Sequence, residues 1–230
     1  MAAPLPPLTP GRIDGHELRH RIGAEARVIL EIGAHHGEHT AGFLKFFPDA
    51  TVHAFEPDPR ALAKFKANIS SPRARLHEIA IGAKDGQAIF HLSGGMPPGA
   101  SRAKPLMEQR YPQGWDQSGS LRAPKAHKEK HPWCTFDETI TVAVRSLDSW
   151  AKEHGVGDVD FIWADMQGAE GDLIAGGKET LARTRYLFTE YSNDELYEGE
   201  PNLNMLLRML PNFSAVKLFP EDVLLKNESM

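Results

Sequence analysis

The chain has 230 residues, enough for one sizeable core and short for two, and its 41% hydrophobic and 25% charged content is that of a soluble globular protein, not a disordered or fibrous one. A net charge of -5, from 26 Lys and Arg against 31 Asp and Glu, gives no overall attraction to nucleic acid or anionic lipid. The single cysteine, Cys134, cannot form an intrachain disulfide, and no apolar run approaches the ~20 residues of a bilayer span, so a cytoplasmic location with no membrane span is expected.

Residues 1–26 read as an N-terminal lead-in, partly extended and outside the site, because Pro4, Pro6, Pro7 and Pro10 crowd its start and no basic or apolar region of a signal peptide precedes them. From residue 27 apolar runs alternate with helix-period segments, the trace of βαβ units around a parallel sheet. Strands are expected at 27–32, 51–55 and 75–80, with helices at 38–47 and from Pro59, where Asp58 is a good N-cap, through Leu62, Phe65 and Ile69. The alternation then breaks: 88–92 and 139–144 read as strands, while residues 94–136 between them are rich in Gly, Pro, Lys and His and are expected to form an insertion, a lid or mobile flap. It resumes with helix 147–153, strand 159–164, helix 170–176, strand 186–190 and helix 202–210, and closes on an antiparallel hairpin of 214–219 with 222–226. The whole is expected to be a single domain, 1–230.

Three segments carry chemistry. EIGAHHGEHT, residues 31–40, runs from strand through a turn into helix, with Gly33 and Gly37 letting backbone approach a ligand. A dinucleotide fingerprint would need glycines at 33, 35 and 38, but His35 crowds a pyrophosphate and Glu38 repels one, which disfavours a nucleotide-dependent oxidoreductase. Glu31 and Glu38 suit a ligand carrying ammonium and sulfonium charge. Glu56 ends the second strand in AFEPDP, where an acid can accept both ribose hydroxyls of an adenosine ligand. Asp165 ends the apolar strand of FIWADMQGAE, so three acids, Glu31, Glu56 and Asp165, are expected at one carboxyl edge. IAIGAKDG, residues 79–86, supplies apolar contact and backbone donors to an adenine ring.

These residues resemble the FkbM-type S-adenosylmethionine-dependent methyltransferases over roughly residues 28–227, with EIGAHHGEHT, FEPDP, IAIGAKDG and DMQGAE in the places of the family's motifs and Glu31 where Asp is more usual. GSL at 119–121, RSLDSW at 145–150 and DVLLKN at 222–227 fit the later pattern. The resemblance implies a Rossmann-like class I methyltransferase fold, α/β with a mostly parallel seven-stranded sheet whose last strand is antiparallel, and a long insertion after the third strand unit. It implies S-adenosyl-L-methionine as cofactor, held by Glu31, Gly33, Ala34, His35, Gly37, Thr40, Phe55, Glu56, Pro57, Ala80 and Asp165. It implies O-methylation of a hydroxyl on a sugar, glycan or nucleotide-linked sugar; a polyketide-type natural product as acceptor and a non-catalytic adenosyl-ligand binding protein are the alternatives.

An alcohol is a poor nucleophile at neutral pH, so a positioned base is expected to take its proton. Asp165 is favoured, His36 comes second, and Glu190 is a third candidate. Ser120, Arg122, Lys125, His127 and Glu190 are the expected acceptor contacts. Between Arg102 and Lys130 stand seven basic residues (Arg102, Lys104, Arg110, Arg122, Lys125, Lys128, Lys130) and three acids (Glu108, Asp116, Glu129), a net +4 over a remainder of -9, from which an anionic acceptor is expected. No metal is expected, since Lys128, Lys130 and Pro132 surround the i,i+4 pair His127 and His131 with repulsive charge and a helix stop. Partners are then a small-molecule or glycan acceptor and, as oligomer, a homodimer, but no nucleic acid.

Overall fold

A computed structural model describes residues 5–98, 107 and 109–230; Arg102, Lys104 and Glu108 lie outside them. The lead-in differs from expectation. Asp14 accepts a hydrogen bond from the Glu17 amide at 2.8 Å and caps helix α1, Gly15–Ile22, whose Leu18 and Ile22, four apart, are buried. The prolines are confined to the first ten residues, and the helix starts once they end.

Strand β1 (Val28–Ile32) leads through a turn to α2 (Glu38–Phe46), and β2 (Thr51–Phe55) to α3 (Pro59–Asn68), where Asp58 caps and Pro59 occupies the first turn. The third expected strand is split in two. β3 (Ala74–His77) pairs with β2 in the main sheet, whereas β4 (Ala80–Gly82) crosses to a second sheet and pairs with Val144–Ser146. Alternation of side chains marks a strand but not the sheet it joins, so 75–80 read as one.

β5 (Gly86–Gly95) and β6 (Cys134–Ser146) form an antiparallel pair that extends past the expected 88–92 and 139–144, which narrows the insertion to 96–133. Within it lies the short helix α4 (His127–Lys130). Then follow α5 (Leu147–Glu153), β7 (Val159–Ala164), α6 (Glu170–Gly176), α7 (Lys178–Ala182), β8 (Thr184–Glu190), α8 (Leu203–Met209), β9 (Phe213–Leu218) and β10 (Asp222–Asn227).

The main sheet has seven strands in the order β3-β2-β1-β7-β8-β10-β9. β1, β2, β3, β7 and β8 pair in parallel, and β10 runs antiparallel to both neighbours, as the sequence leads one to expect. Alternation along the strands fills two layers: Leu30, Ile32, Ile162 and Leu187 pack with Trp150 and Leu173 on one face, while Ile29, Phe161, Trp163 and Phe188 pack with Phe43, Leu18 and Ile22 on the other. No helix among the described residues is long and apolar enough to cross a membrane.

Candidate active site

The carboxyl ends of β1, β2, β7 and β8 open on one cavity of about 500 Å³, a size that takes a cofactor-sized ligand. Gly33 lets the chain leaving β1 pass close against the end of β7. It has φ +89°, and a Cβ there would stand 1.9 Å from the Asp165 carbonyl oxygen, so no side chain fits. The Gly33 and Ala34 amides both donate to Phe55 O at 3.0 Å, tying the first loop to the end of β2.

Gly33, Ala34, His35, Phe55, Glu56, Pro57, Ala80 and Asp165 all lie on the cavity wall, as do His127 and Glu190. Glu56 is turned toward the loop: its Oε2 accepts from the His35 amide and its Oε1 from the Asp58 amide, both at 2.8 Å. Each oxygen keeps a lone pair for a ligand hydroxyl. Burial pushes the Glu56 carboxyl up to about 7 against these two hydrogen bonds. Pro57, Ile79, Ala80, Ile81, Phe90 and Leu121 make an apolar slot beside it, the surface an adenine ring would fill.

Other expected contacts lie behind the wall. Glu31 shares the sheet face of Ile29, which sends its side chain into the layer beneath α2, where Thr40 Oγ1 donates to Oε2 and Oε1 has no partner. Burial pushes its carboxyl up to about 8, so Glu31 is protonated at neutral pH, contrary to the charge expected of it. Gly37 and Thr40 stay with it in this second layer: a Cβ on Gly37 would lie 2.6 Å from Ile69.

His36 is also off the wall. It is 3% exposed, and its Nε2 lies 2.9 Å from Asp116 Oδ2, while His35 Nε2 lies 2.6 Å from Asp116 Oδ1. The two imidazoles are stacked 3.5 Å apart, and His35 holds φ +47° to place its ring. Each Nε2 meets one oxygen of the same carboxylate, which makes this a hydrogen-bonded clamp, and the ligand atoms of His35, His36 and Asp116 lie within 4.8 Å of one another. Burial opposes it, but the two imidazoles hold the Asp116 carboxyl well below the usual range. An imidazole so engaged is badly placed to accept an acceptor's proton.

Asp116 belongs to the insertion, which the sequence marks as a lid or flap rich in positive charge. It roofs the site: Trp115, Asp116, Ser118, Leu121, His131 and Trp133 are on the cavity wall. Four of its described cations are paired to the body. Arg122 binds Asp172 through two nitrogens at 2.6 and 2.9 Å, Lys125 meets Glu195 at 2.6 Å, Lys130 meets Asp194, and Arg110 meets Glu38. Arg122 and Lys125, expected to hold acceptor, therefore hold the roof down; Ser120, 1% exposed, donates to Gln167 O at 2.7 Å for the same end. Arg12, from the lead-in set aside above, lines the cavity.

The wall is rich in carboxyls, among them Glu56, Asp165, Glu190, Glu200 and Glu221, with Arg12 and Arg110 as its Lys and Arg cations. Burial, then Asp165, Glu170 and Asp222, raises Glu190 well above the carboxylate range. A crowd of acids with so little fixed positive charge is what a ligand bearing ammonium and sulfonium fits. The residues thus fit S-adenosylmethionine: Gly33–His35 and Asp165 would hold its methionyl end, Glu56 its ribose, and the slot at Pro57 and Ile79–Ile81 its adenine.

The model of the methyltransferase FkbM domain matches residues 31–217. The 2-O-methyltransferase NoeI of Sinorhizobium fredii (strain NBRC 101917 / NGR234) is 44% identical over 208 residues, 88% of this chain and 80% of that protein. Among solved structures, methyltransferase FkbM from Methylobacillus flagellatus KT is 16% identical with a TM-score of 0.49, covering 88% of this chain and 44% of its own, so this chain spans less than half of it. Aeropyrum pernix fibrillarin, solved with natively bound S-adenosyl-L-methionine, is 11% identical with a TM-score of 0.46, over 90% of this chain and 67% of its own. On the domain match and the NoeI identity, over a seven-stranded sheet with one antiparallel strand, the chain belongs to the FkbM family of S-adenosylmethionine-dependent methyltransferases.

Proposed function

We propose that the protein methylates a hydroxyl oxygen of a neutral sugar or glycan. The observation that carries this reading is the composition of the cavity wall beyond the cofactor contacts, where Trp115 and Trp133, edge to face at 5.2 Å, stand with Glu190 and Glu200. Aromatic faces cover the C–H faces of a pyranose and carboxyls accept from its hydroxyls. The kinship with a protein named a 2-O-methyltransferase supports oxygen as the acceptor atom. A neutral acceptor is favoured over the expected anionic one, because among the described residues Arg110, Arg122, Lys125 and Lys130 pair with Glu38, Asp172, Glu195 and Asp194 and the wall is rich in carboxyls.

Bound S-adenosylmethionine supplies an electrophilic methyl on a positively charged sulfur. The chain's part is to orient and to keep water out: the roof segment Trp115–Leu121 covers the strand ends. Asp165, on the cavity wall at the end of β7, supports the reading as the group that takes the hydroxyl proton. The test is transfer of labelled methyl to matched neutral and anionic sugars, with a polyketide alcohol as control, at low and high salt. A preference for the neutral sugar with little salt dependence is expected in wild type and in Arg122→Ala with Lys125→Ala, the double variant being slower toward both sugars as its roof loosens. A strong preference for the anionic sugar that fades with salt would overturn the neutral reading.

A further inference from the structure

Gln167 sits at a junction that neither the cofactor contacts nor the roof explains. It is a non-glycine residue at φ +51°, a conformation that costs energy unless its surroundings impose it. Its side-chain nitrogen donates to Asp165 Oδ1 at 2.7 Å and to Glu190 Oε2 at 3.1 Å, so one amide spans the ends of β7 and β8. Its Oε1 lies 3.1 Å from the Tyr197 hydroxyl, which also reaches Ser118 O of the roof at 2.9 Å. Gly168 is the companion feature, for a Cβ there would meet Tyr197 Cβ at 2.6 Å. One amide nitrogen within 3.1 Å of an oxygen of each holds the Asp165 and Glu190 carboxyls next to each other, where two negative charges repel.

We propose that Asp165 and Glu190 are a proton-sharing carboxyl pair, set by Gln167 as a positioning residue, and that this pair takes the proton of the acceptor hydroxyl. This rests on the O-methylation reading above. Glu190 carries the shared proton and Asp165 is the ionised member. As the new bond from acceptor oxygen to methyl forms and the methyl–sulfur bond breaks, the bonding pair stays on sulfur and cancels its charge. The hydroxyl proton passes to Asp165, leaving both carboxyls neutral.

The charge around the pair favours one shared proton over two ionised groups. Glu31, Glu170 and Asp222 face it as acids, Tyr197 and His39 as neutral or titrating neighbours, and Arg12 as the cation that acts on Asp222. Like charges this close titrate as a unit, in two separated steps. Gln167, donating to both members, stabilises the ionised one without offering a proton of its own.

Infrared titration of the ligand-free protein tests this without turnover. At pH 7 wild type minus Glu190→Gln should show one protonated carboxyl stretch. Asp165→Asn should move that titration down by more than one pH unit, and Gln167→Met, which keeps volume and removes the amide, should move it up. In turnover, Asp165→Asn should lose 10²–10⁴-fold in kcat, Glu190→Gln less than tenfold, and Gln167→Met about 10–100-fold with its acid limb shifted up and cofactor Kd unchanged. An ionised Glu190 at pH 7, or a titration indifferent to Asp165→Asn, overturns the pair. A Glu190→Gln loss as deep as that of Asp165→Asn overturns the assignment of roles. If the pair titrates as described and no hydroxyl acceptor is methylated, the O-methylation reading fails, and the pair's catalytic role with it, whereas the shared proton stands.

Discussion

Glu56 shows what one carboxyl can report. Pushed up to about 7 by burial and held by two loop amides, it binds a proton near neutral pH, whereas the ribose hydroxyls of the cofactor are best bound by its ionised form. Cofactor binding should therefore release protons from this carboxyl near pH 7, and affinity should rise as pH climbs from 6 to 8. Calorimetry in buffers of different ionisation enthalpy reads the release directly; in Glu56→Gln it should vanish and affinity fall by about 1.5–3 kcal/mol. A variant with unchanged affinity and unchanged proton release would remove Glu56 from the cofactor site. Gly33 is the opposite kind of residue, required for lacking a side chain: Gly33→Ala must push the Asp165 carbonyl away, and loss of cofactor binding is expected.

At the scale of elements, the roof and the cofactor loop meet through Asp116 and the stacked His35 and His36. Opening the roof requires breaking that clamp, so it governs cofactor escape more than entry. Asp116→Ala should raise the cofactor dissociation rate about tenfold and leave association nearly unchanged; stopped-flow measurement of both separates this from a general loss of fold, which would lower association too. This contact also marks where sequence reasoning ended. Strands such as Thr51–Phe55 and Val159–Ala164 were legible to the residue as short, mostly apolar runs bounded by turn residues, and helix Glu170–Gly176 by the acids of its first turn and the Gly168 turn before it. The acids at the strand ends were legible because the topology of a parallel sheet gathers them. Which way Glu31 points was not, since that depends on the sheet face it shares with Ile29. The partners of Asp116, Arg122 and Lys125 lie from 50 to 81 residues away along the chain, and charge counting cannot tell a cation that binds substrate from one that pins a roof.

For the molecule as a whole, these carboxyls make stability depend on pH in a definite direction. Burial raises Glu31 to about 8, Glu170 to about 8 and Asp222 to about 6, and Glu56 to about 7. Each binds a proton more tightly in the folded chain than in the unfolded one. Its stabilising contribution is therefore complete below about pH 4 and lost as pH rises through the folded value, at up to about 1.4 kcal/mol per carboxyl per pH unit. Asp116 works the other way, held low by the two imidazoles, and its contribution is lost only in acid. Burial holds His53, His77 and His127 neutral down to about 4, and these work the opposite way between about pH 4 and 6.5, so the ligand-free protein should lose melting temperature chiefly above pH 6.5, through the folded values of Glu56, Glu31 and Glu170. S-adenosylmethionine brings positive charge to the same wall and should flatten that slope. Glu31→Gln separates burial of one carboxyl from the rest, because the amide keeps an oxygen for Thr40 and cannot ionise: it should be neutral at pH 5 and raise the melting temperature at pH 8. Thermal scans across this range decide it, and a ligand-free melting temperature that is flat or rises toward pH 8.5 would show that these carboxyls are solvated and ionised in the folded chain.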